Sequence, residues 1–146
     1  MKPCIFCKIS AGEEVGSIVH RDEKFVVLMD AYPLSEGHCL IIPHQHVQRL
    51  HELTGEEQQQ LFALGQRCMS ALRAAGFGRD GMNVLLNDGK AANQTVPHLH
   101  LHIIPRRKGD LIASLPKLFL HVTGVFGLKT RRSKLDAVAA QLATYF

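Results

Sequence analysis

The chain has 146 residues, 46% of them hydrophobic and 21% charged, which suits one globular domain with a real core and excludes a disordered or fibrous chain. No apolar run approaches the ~20 residues that a membrane-spanning helix needs, and Met1-Lys2-Pro3-Cys4 lacks the apolar stretch of a secretory signal, so a cytoplasmic location with no membrane partner is expected. The net charge of +4 gathers in Arg106-Arg107-Lys108 and between Lys129 and Lys134; this mild excess suits a phosphate-bearing substrate and does not imply nucleic-acid binding.

Along the chain, Ile18-Val19 can begin a strand, and Phe25 to Met29 is a short apolar run read as a second. Asp30-Ala31-Tyr32-Pro33 breaks it. Gly37 to Pro43 reads as the next strand, stopped by a proline that cannot donate to a ladder. Thr54-Gly55-Glu56-Glu57 matches a capping box. Beyond it Leu61, Leu64, Cys68, Leu72 and Ala75 recur at helical spacing until Gly76. Met82 to Leu86 reads as a strand leading into the loop Asn87 to Asn93, and His98 to Ile104 as a further strand closed by Pro105. A last helix is expected over Ser133 to Thr144, with Leu135, Val138, Ala139 and Leu142 on its apolar face; no state is assigned to residues 113–128. Two hairpin-like strand pairs separated by a long helix predict an antiparallel α+β domain.

The segment Pro97-His98-Leu99-His100-Leu101-His102-Ile103-Ile104-Pro105 carries the most chemistry. On an extended chain His98, His100 and His102 share one face, about 7 Å apart per step, while Leu99, Leu101 and Ile103 share the other. Packing explains three buried imidazoles in a row poorly, because each needs a polar partner. Two chemistries stay open: a metal site, or nucleophilic attack by one imidazole that its neighbours orient. Cys4 and Cys7 form a Cys-x-x-Cys pair that would need two more ligands to hold zinc, whereas Cys39 and Cys68 lie singly within apolar segments. His20, His51 and His121 are expected at the surface.

The run His98-Leu99-His100-Leu101-His102-Ile103-Ile104 resembles the signature of the histidine triad (HIT) family, His-φ-His-φ-His-φ-φ. Other stretches resemble the family in the expected order over residues 4–106. Cys4 to Ile9 is similar to its amino-terminal strand start, Asp30 follows an apolar run as its ribose-binding aspartate does, and Gly37-His38 with Ile41-Ile42-Pro43-His44-Gln45-His46 resembles its Gly-His and Ile-Pro stretch. Asn87-Asp88-Gly89 and Gln94-Thr95-Val96 fall where the phosphate loop belongs.

The resemblance implies a single HIT domain over 1–146, with a motif-bearing core at 4–106 and an extension at 107–146. The implied fold is a five-stranded antiparallel sheet with one long and one C-terminal helix, in a homodimer whose two-fold contact the apolar face of the long helix could supply. The implied enzyme is a nucleoside phosphoramidase or nucleotidyl hydrolase acting on an adenine-type purine nucleotide, with dinucleoside polyphosphate hydrolysis, or a nucleotide-binding interaction module with incidental turnover, as alternatives. His100 would attack the α-phosphorus to give a nucleotidyl-histidine, His102 would donate to the phosphate, the main chain of His98 would fix the tautomer of His100, and Gln94 and Thr95 would hold phosphate oxygens. Phe6, Ile9 and Leu28 would flank the nucleoside, Asp30 would accept from the ribose, and Asn87 would lie near ribose or phosphate. Asn93 stands where the family usually has glycine, so its side chain is expected to narrow the pocket or add a donor there. The Cys-x-x-Cys branch, close to the Hint-type phosphoramidases, further implies one structural zinc per chain and no organic cofactor. Its ligands would be Cys4, Cys7, His46 and His98, with His46 preferred to His44 because His44 occupies the family's usual lysine position.

Overall fold

A computed structural model describes residues 4–110 and 129–146. In order these form helix α1 (Ile5–Ala11), strands β1 (Ile18–Arg21), β2 (Phe25–Met29) and β3 (Cys39–Pro43), helix α2 (Gly55–Ala74), strands β4 (Gly81–Leu86) and β5 (Leu101–Arg106), and helix α3 (Arg132–Ala143). All five strands join one antiparallel sheet in the order β1-β2-β3-β5-β4. The α+β reading therefore holds, with a long helix and a C-terminal helix on the sheet. No helix among the described residues is long and apolar enough to cross a membrane.

The strands β2 and β3 are buried along their whole length because each face has its own cover. Phe25, Val27, Met29, Cys39, Ile41, Leu101 and Ile103 point to one face, where Leu61, Leu64, Cys68 and Leu72 of α2 and Leu135, Ala139 and Leu142 of α3 meet them. Val26, Leu28, Leu40 and Ile42 point to the other, against Phe6 and Ile9 of α1. Alternation along a strand thus sorts the residues into two cores. The first is the structural core. The second holds the site.

The capping box at the start of α2 is formed as expected: the Thr54 hydroxyl accepts from Glu57 N–H at 3.2 Å, and the Glu57 carboxylate accepts from Thr54 N–H at 2.9 Å. The backbone bond from Thr54 holds the Glu57 carboxyl below its ordinary range. Because Leu61, Leu64, Cys68 and Leu72 are all buried against the sheet, this stripe is not available as an intersubunit face; α2 leaves Phe62 outside instead.

Three expectations need correction. The segment from Ile5 to Ala11 is helical, with Cys4 as its N-cap, and is not a strand start: Phe6 and Ile9, three residues apart, pack into the same core cluster on one face of the sheet, which a helix permits and a strand would not. Gly12 ends this helix with φ of 77°. The histidine-rich strand begins at Leu101, not His98, and runs through Pro105 to Arg106. Its pairing with β3 stretches only from Ile41↔Leu101 to Cys39↔Ile103, so before Leu101 the chain bends, with Leu99 N–H donating to the Val47 carbonyl at 2.7 Å. After Ile103 only β4 remains beside β5, a position where proline is tolerated. Third, His20 stacks on Phe146 with ring centroids 4.8 Å apart and is not a bare surface residue. His51 is exposed as expected, while His121 and the unassigned residues 113–128 lie outside the described residues.

Candidate functional site

The second face of the sheet carries a cavity of about 380 Å3. Its walls are Phe6 and Ile9 from α1, Leu28 from β2 and Leu40 from β3; Asp30, His100 and His102 line it as well, with Thr95 and Val96 from the loop before the histidines. The leucines between the histidines turn the opposite way into the structural core, as strand-like alternation demands, although only His102 lies within β5 itself. The rings of His100 and His102 lean together, with centroids 4.8 Å apart at 65°, closer than the step along an extended chain.

Hydrogen bonds assign the tautomers. A carbonyl can only accept, so the 2.7 Å contact between His100 Nδ1 and the His98 carbonyl puts the proton of His100 on Nδ1. Its Nε2 then carries the lone pair. His38, fully buried, accepts from Leu34 N–H at Nδ1 (3.1 Å), which puts its own proton on Nε2. That Nε2–H donates to His102 Nδ1 at 3.0 Å and lies 3.5 Å from Asp30 Oδ2. His102 in turn carries its proton on Nε2. The cavity wall therefore presents a basic nitrogen on His100 beside a donor nitrogen on His102.

A second cluster lies against the first. Ligand atoms of Cys4, Cys7, His46 and His98 all fall within 4.8 Å of one another. Cys4 Sγ is 3.4 Å from His98 Nδ1, Cys7 Sγ is 3.5 Å from the same atom, and Cys7 Sγ is 3.2 Å from His46 Nδ1. A tetrahedral zinc with sulfur and nitrogen ligands has edges of about 3.3–3.8 Å, so these atoms could close around one ion with little movement. His98 is prepared for that role: its Nε2–H donates to the Pro43 carbonyl at 2.9 Å, leaving the lone pair on Nδ1 facing the sulfurs. Burial, followed by smaller effects of the neighbouring rings, lowers its pKa to about 4, so the ring stays neutral. Burial, and then the adjacent Cys4, push the Cys7 thiol up, an effect that a bound cation would reverse.

His44 and His46 differ in their partners. His44 donates from Nε2 to the Asp22 carbonyl at 2.9 Å and accepts from the Ser10 hydroxyl at Nδ1 at 2.6 Å, so both nitrogens are committed elsewhere. Asp30, His38 and His102 also converge within 4.8 Å. That group is poorly suited to a cation, because the Leu34 bond keeps a proton on the very nitrogen of His38 that would have to coordinate.

Of the residues expected at the site, Phe6, Ile9, Leu28, Asp30, Thr95, His100 and His102 line the cavity together. Asn87, Asn93 and Gln94 do not. The Gln94 amide ties its own loop, accepting from Gly89 N–H at 2.9 Å and donating to the Gln48 carbonyl at 2.8 Å. Asn87 Nδ2 donates to the Asn93 carbonyl at 3.4 Å. Asn93 sits in the left-handed region with φ of 64°, which is why glycine suits this position and why asparagine, the most tolerant side chain there, can replace it. Asn93 is not among the residues that line the cavity. Asp30 also forms the turn before Pro33, its Oδ1 accepting from Tyr32 N–H at 2.8 Å.

A HIT domain model matches residues 11–109. The chain belongs to the HIT family. It is 38% identical over 111 residues to an uncharacterised HIT-like protein of Mycobacterium tuberculosis, a match covering 76% of each chain. It is 36% identical over 115 residues to an adenosine 5′-monophosphoramidase of Saccharomyces cerevisiae, covering 77% of this chain and 70% of that protein. Among solved structures it is similar to a zinc-bound histidine triad family protein from Mycobacterium smegmatis, with a TM-score of 0.78 and 33% identity over 97% of this chain and 91% of that one.

Two features of this HIT domain escape a sequence reading. His38 lies behind His102 and sets its tautomer; the Gly-His pair before β3 was the available signal. Lys129 and Arg132, from the basic stretch between Lys129 and Lys134, reach the cavity because Thr130 N–H donates to the Ala31 carbonyl at 3.0 Å and Arg132 donates to Ser17 Oγ (3.1 Å) and the Val15 carbonyl (3.2 Å). No local pattern announces that docking.

Proposed function

We propose that this HIT protein is a nucleotide hydrolase that attacks the α-phosphate of adenine-type nucleotides, phosphoramidates and nucleotidyl esters first, through a covalent nucleotidyl-histidine. The observation that carries the reading is the bond from His100 Nδ1–H to the His98 carbonyl on the wall of the cavity, since it leaves Nε2 as the nucleophile. In the first step the Nε2 lone pair forms a bond to phosphorus, and the bond from phosphorus to the leaving group breaks with its electron pair. In the second, water attacks phosphorus, the P–N bond breaks with its electron pair returning to Nε2, and the water's proton passes to solvent, replacing the one the leaving group took up, so that His100 is restored. His102 Nε2–H donates to a phosphate oxygen, where charge builds in both transition states. Phe6, Ile9 and Leu28 offer an apolar slot for the base, and Asp30 lies on the same wall for the ribose hydroxyls.

Cys4, Cys7, His46 and His98 would hold one structural zinc, whose chemistry is to tie separate segments together and not to act on the phosphate. A homodimer is part of the same proposal. Its support is the edge strand β4, which exposes Val84 (45%) and Leu85 (39%).

A turnover panel at equal concentration, comparing adenosine phosphoramidates, diadenosine polyphosphates and guanosine analogues, tests the substrate assignment. Faster cleavage of the phosphoramidates is expected. Exclusive cleavage of dinucleoside polyphosphates would replace this reading with its sister activity, and cleavage of none would make the protein a binding module.

A further inference from the structure

Helix α1 takes part in two clusters at once. Cys4, its N-cap residue, and Cys7, one turn on, face His98 and His46, while Ile5, Phe6 and Ile9 from the same short helix line the cavity. A seven-residue helix is marginal by its own propensity and takes its position from its anchors. Its C-terminal end has several: Ser10 bonds to His44, and Arg21 donates to the carbonyls of Ser10 and Ile9. At its N-terminal end the Cys4 side chain caps no backbone N–H. There the polar ties are the sulfur contacts to His46 and His98, beside the edge-on packing of Phe6 on the rings of His98 and His100 at 5.8 and 5.3 Å.

The catalytic side of the cavity is anchored differently. His98 keeps its Nε2–H bond to Pro43, Leu99 keeps its backbone bond to Val47, and the His98 carbonyl keeps its bond to His100 whether or not the sulfurs are held. His102 is fixed from behind by His38. Loss of an ion from the cluster would therefore loosen the wall that carries Ile5 and Phe6 while leaving the nucleophile and its donor in place.

We propose that zinc in the Cys4–Cys7–His46–His98 cluster sets the affinity of the cavity for the nucleoside, by fixing the N-terminal half of α1 as the wall against the base. The inference rests on the zinc and nucleotide readings above and adds a coupling between the two sites. Such a coupling is reciprocal: if zinc tightens nucleoside binding, nucleoside tightens zinc binding by the same factor.

The experiment uses adenosine, which carries no phosphate to chelate metal. Calorimetric titration into zinc-loaded and zinc-stripped protein should show adenosine binding weakened roughly tenfold on stripping, within the range usual for coupled sites. Ribose 5-phosphate, which lacks the base, should bind both forms equally. His46→Ala, which removes a ligand from outside α1, should weaken adenosine binding by the same factor as stripping. In the loaded protein alone, competition with a chromophoric chelator should show zinc affinity rising by that factor when adenosine saturates the site, a measurement that survives even if the stripped protein unfolds. Zinc affinity indifferent to adenosine, or ribose 5-phosphate weakened as much as adenosine, would overturn the coupling. Protein that binds zinc and no adenosine would overturn the nucleotide reading, and protein that binds adenosine and no zinc would overturn the zinc reading; either takes the coupling with it.

Discussion

The side chain of His100 is held by the main chain of His98: Nδ1–H donates to the His98 carbonyl at 2.7 Å, and the lone pair of Nε2 is thereby fixed. This backbone bond does for His100 what a carboxylate does in many catalytic pairs, without adding a charge that would repel a phosphate.

Substitution of His100, the proposed nucleophile, should be decisive. His100→Ala is expected to lower turnover by several orders of magnitude with nucleotide affinity largely kept. Early quenching of wild-type protein with substrate should trap an acid-labile adenylylated peptide containing His98, His100 and His102, absent in the variant. His100→Gly with added imidazole should regain part of the rate. Normal turnover without a trapped adduct, and an active His100→Ala, would sink the covalent mechanism.

Much of this site was legible in the chain because its chemistry is local. Three histidines at alternate positions with leucines between them announce one polar and one apolar face, and the two cores divide along that line. The helical state of residues 5–11 was also written there, in the i, i+3 spacing of Cys4 with Cys7 and of Phe6 with Ile9, but the family resemblance spoke for a strand. What could not be read is what depends on distant segments. The bonds of Gln94 to Gly89 and Gln48 join segments far apart in the chain, and Lys129 reaches the cavity through the Thr130–Ala31 bond and the docking of Arg132.

Purified protein should hold one zinc per chain under reducing conditions, as measured by elemental analysis. Cys4→Ser or Cys7→Ser should abolish it and lower the melting temperature. A ligand present at about a hundred times its dissociation constant stabilises by about 2.7 kcal/mol, so the fall should be several degrees. Zinc-free protein with an unchanged melting temperature on chelator treatment would refute the site.

Gly37 tests how the fold delivers His38. Its φ of 86° lies in the left-handed region, and an added Cβ would sit 3.1–3.2 Å from Phe77, Leu72 and Pro105. Gly37→Ala should therefore cost about 1–3 kcal/mol in denaturant unfolding, from strain and crowding together. A change below a few tenths of that would mean the turn relaxes freely.

Light scattering at micromolar concentration should give twice the chain mass. Introducing charge at the edge strand, as in Val84→Lys, should shift the population toward 16.2 kDa, the mass of one chain. A wild-type protein already at that mass would remove the dimer.

The last test concerns His38, which touches the reaction only through His102. Its Nε2–H bond to His102 Nδ1 confines the ring proton of His102 to Nε2, the donor position. Without His38, His102 can adopt either tautomer, and the wrong one turns a lone pair toward a phosphate oxygen. His102→Ala removes the donor itself and should cost about 10²–10³ in kcat, as loss of a transition-state hydrogen bond does elsewhere. His38→Phe should cost less, roughly tenfold in kcat with KM little changed, because only the population of the correct tautomer falls. Since a buried substitution can also disturb packing against Asp30, the cycle through His102→Gln separates the two causes. A glutamine amide keeps a donor near the same place and has no tautomers to choose between. If His38 acts by setting the tautomer, His38→Phe should lose most of its effect in the His102→Gln background. An undiminished effect there would show that His38 serves the packing of the site and not the proton of His102.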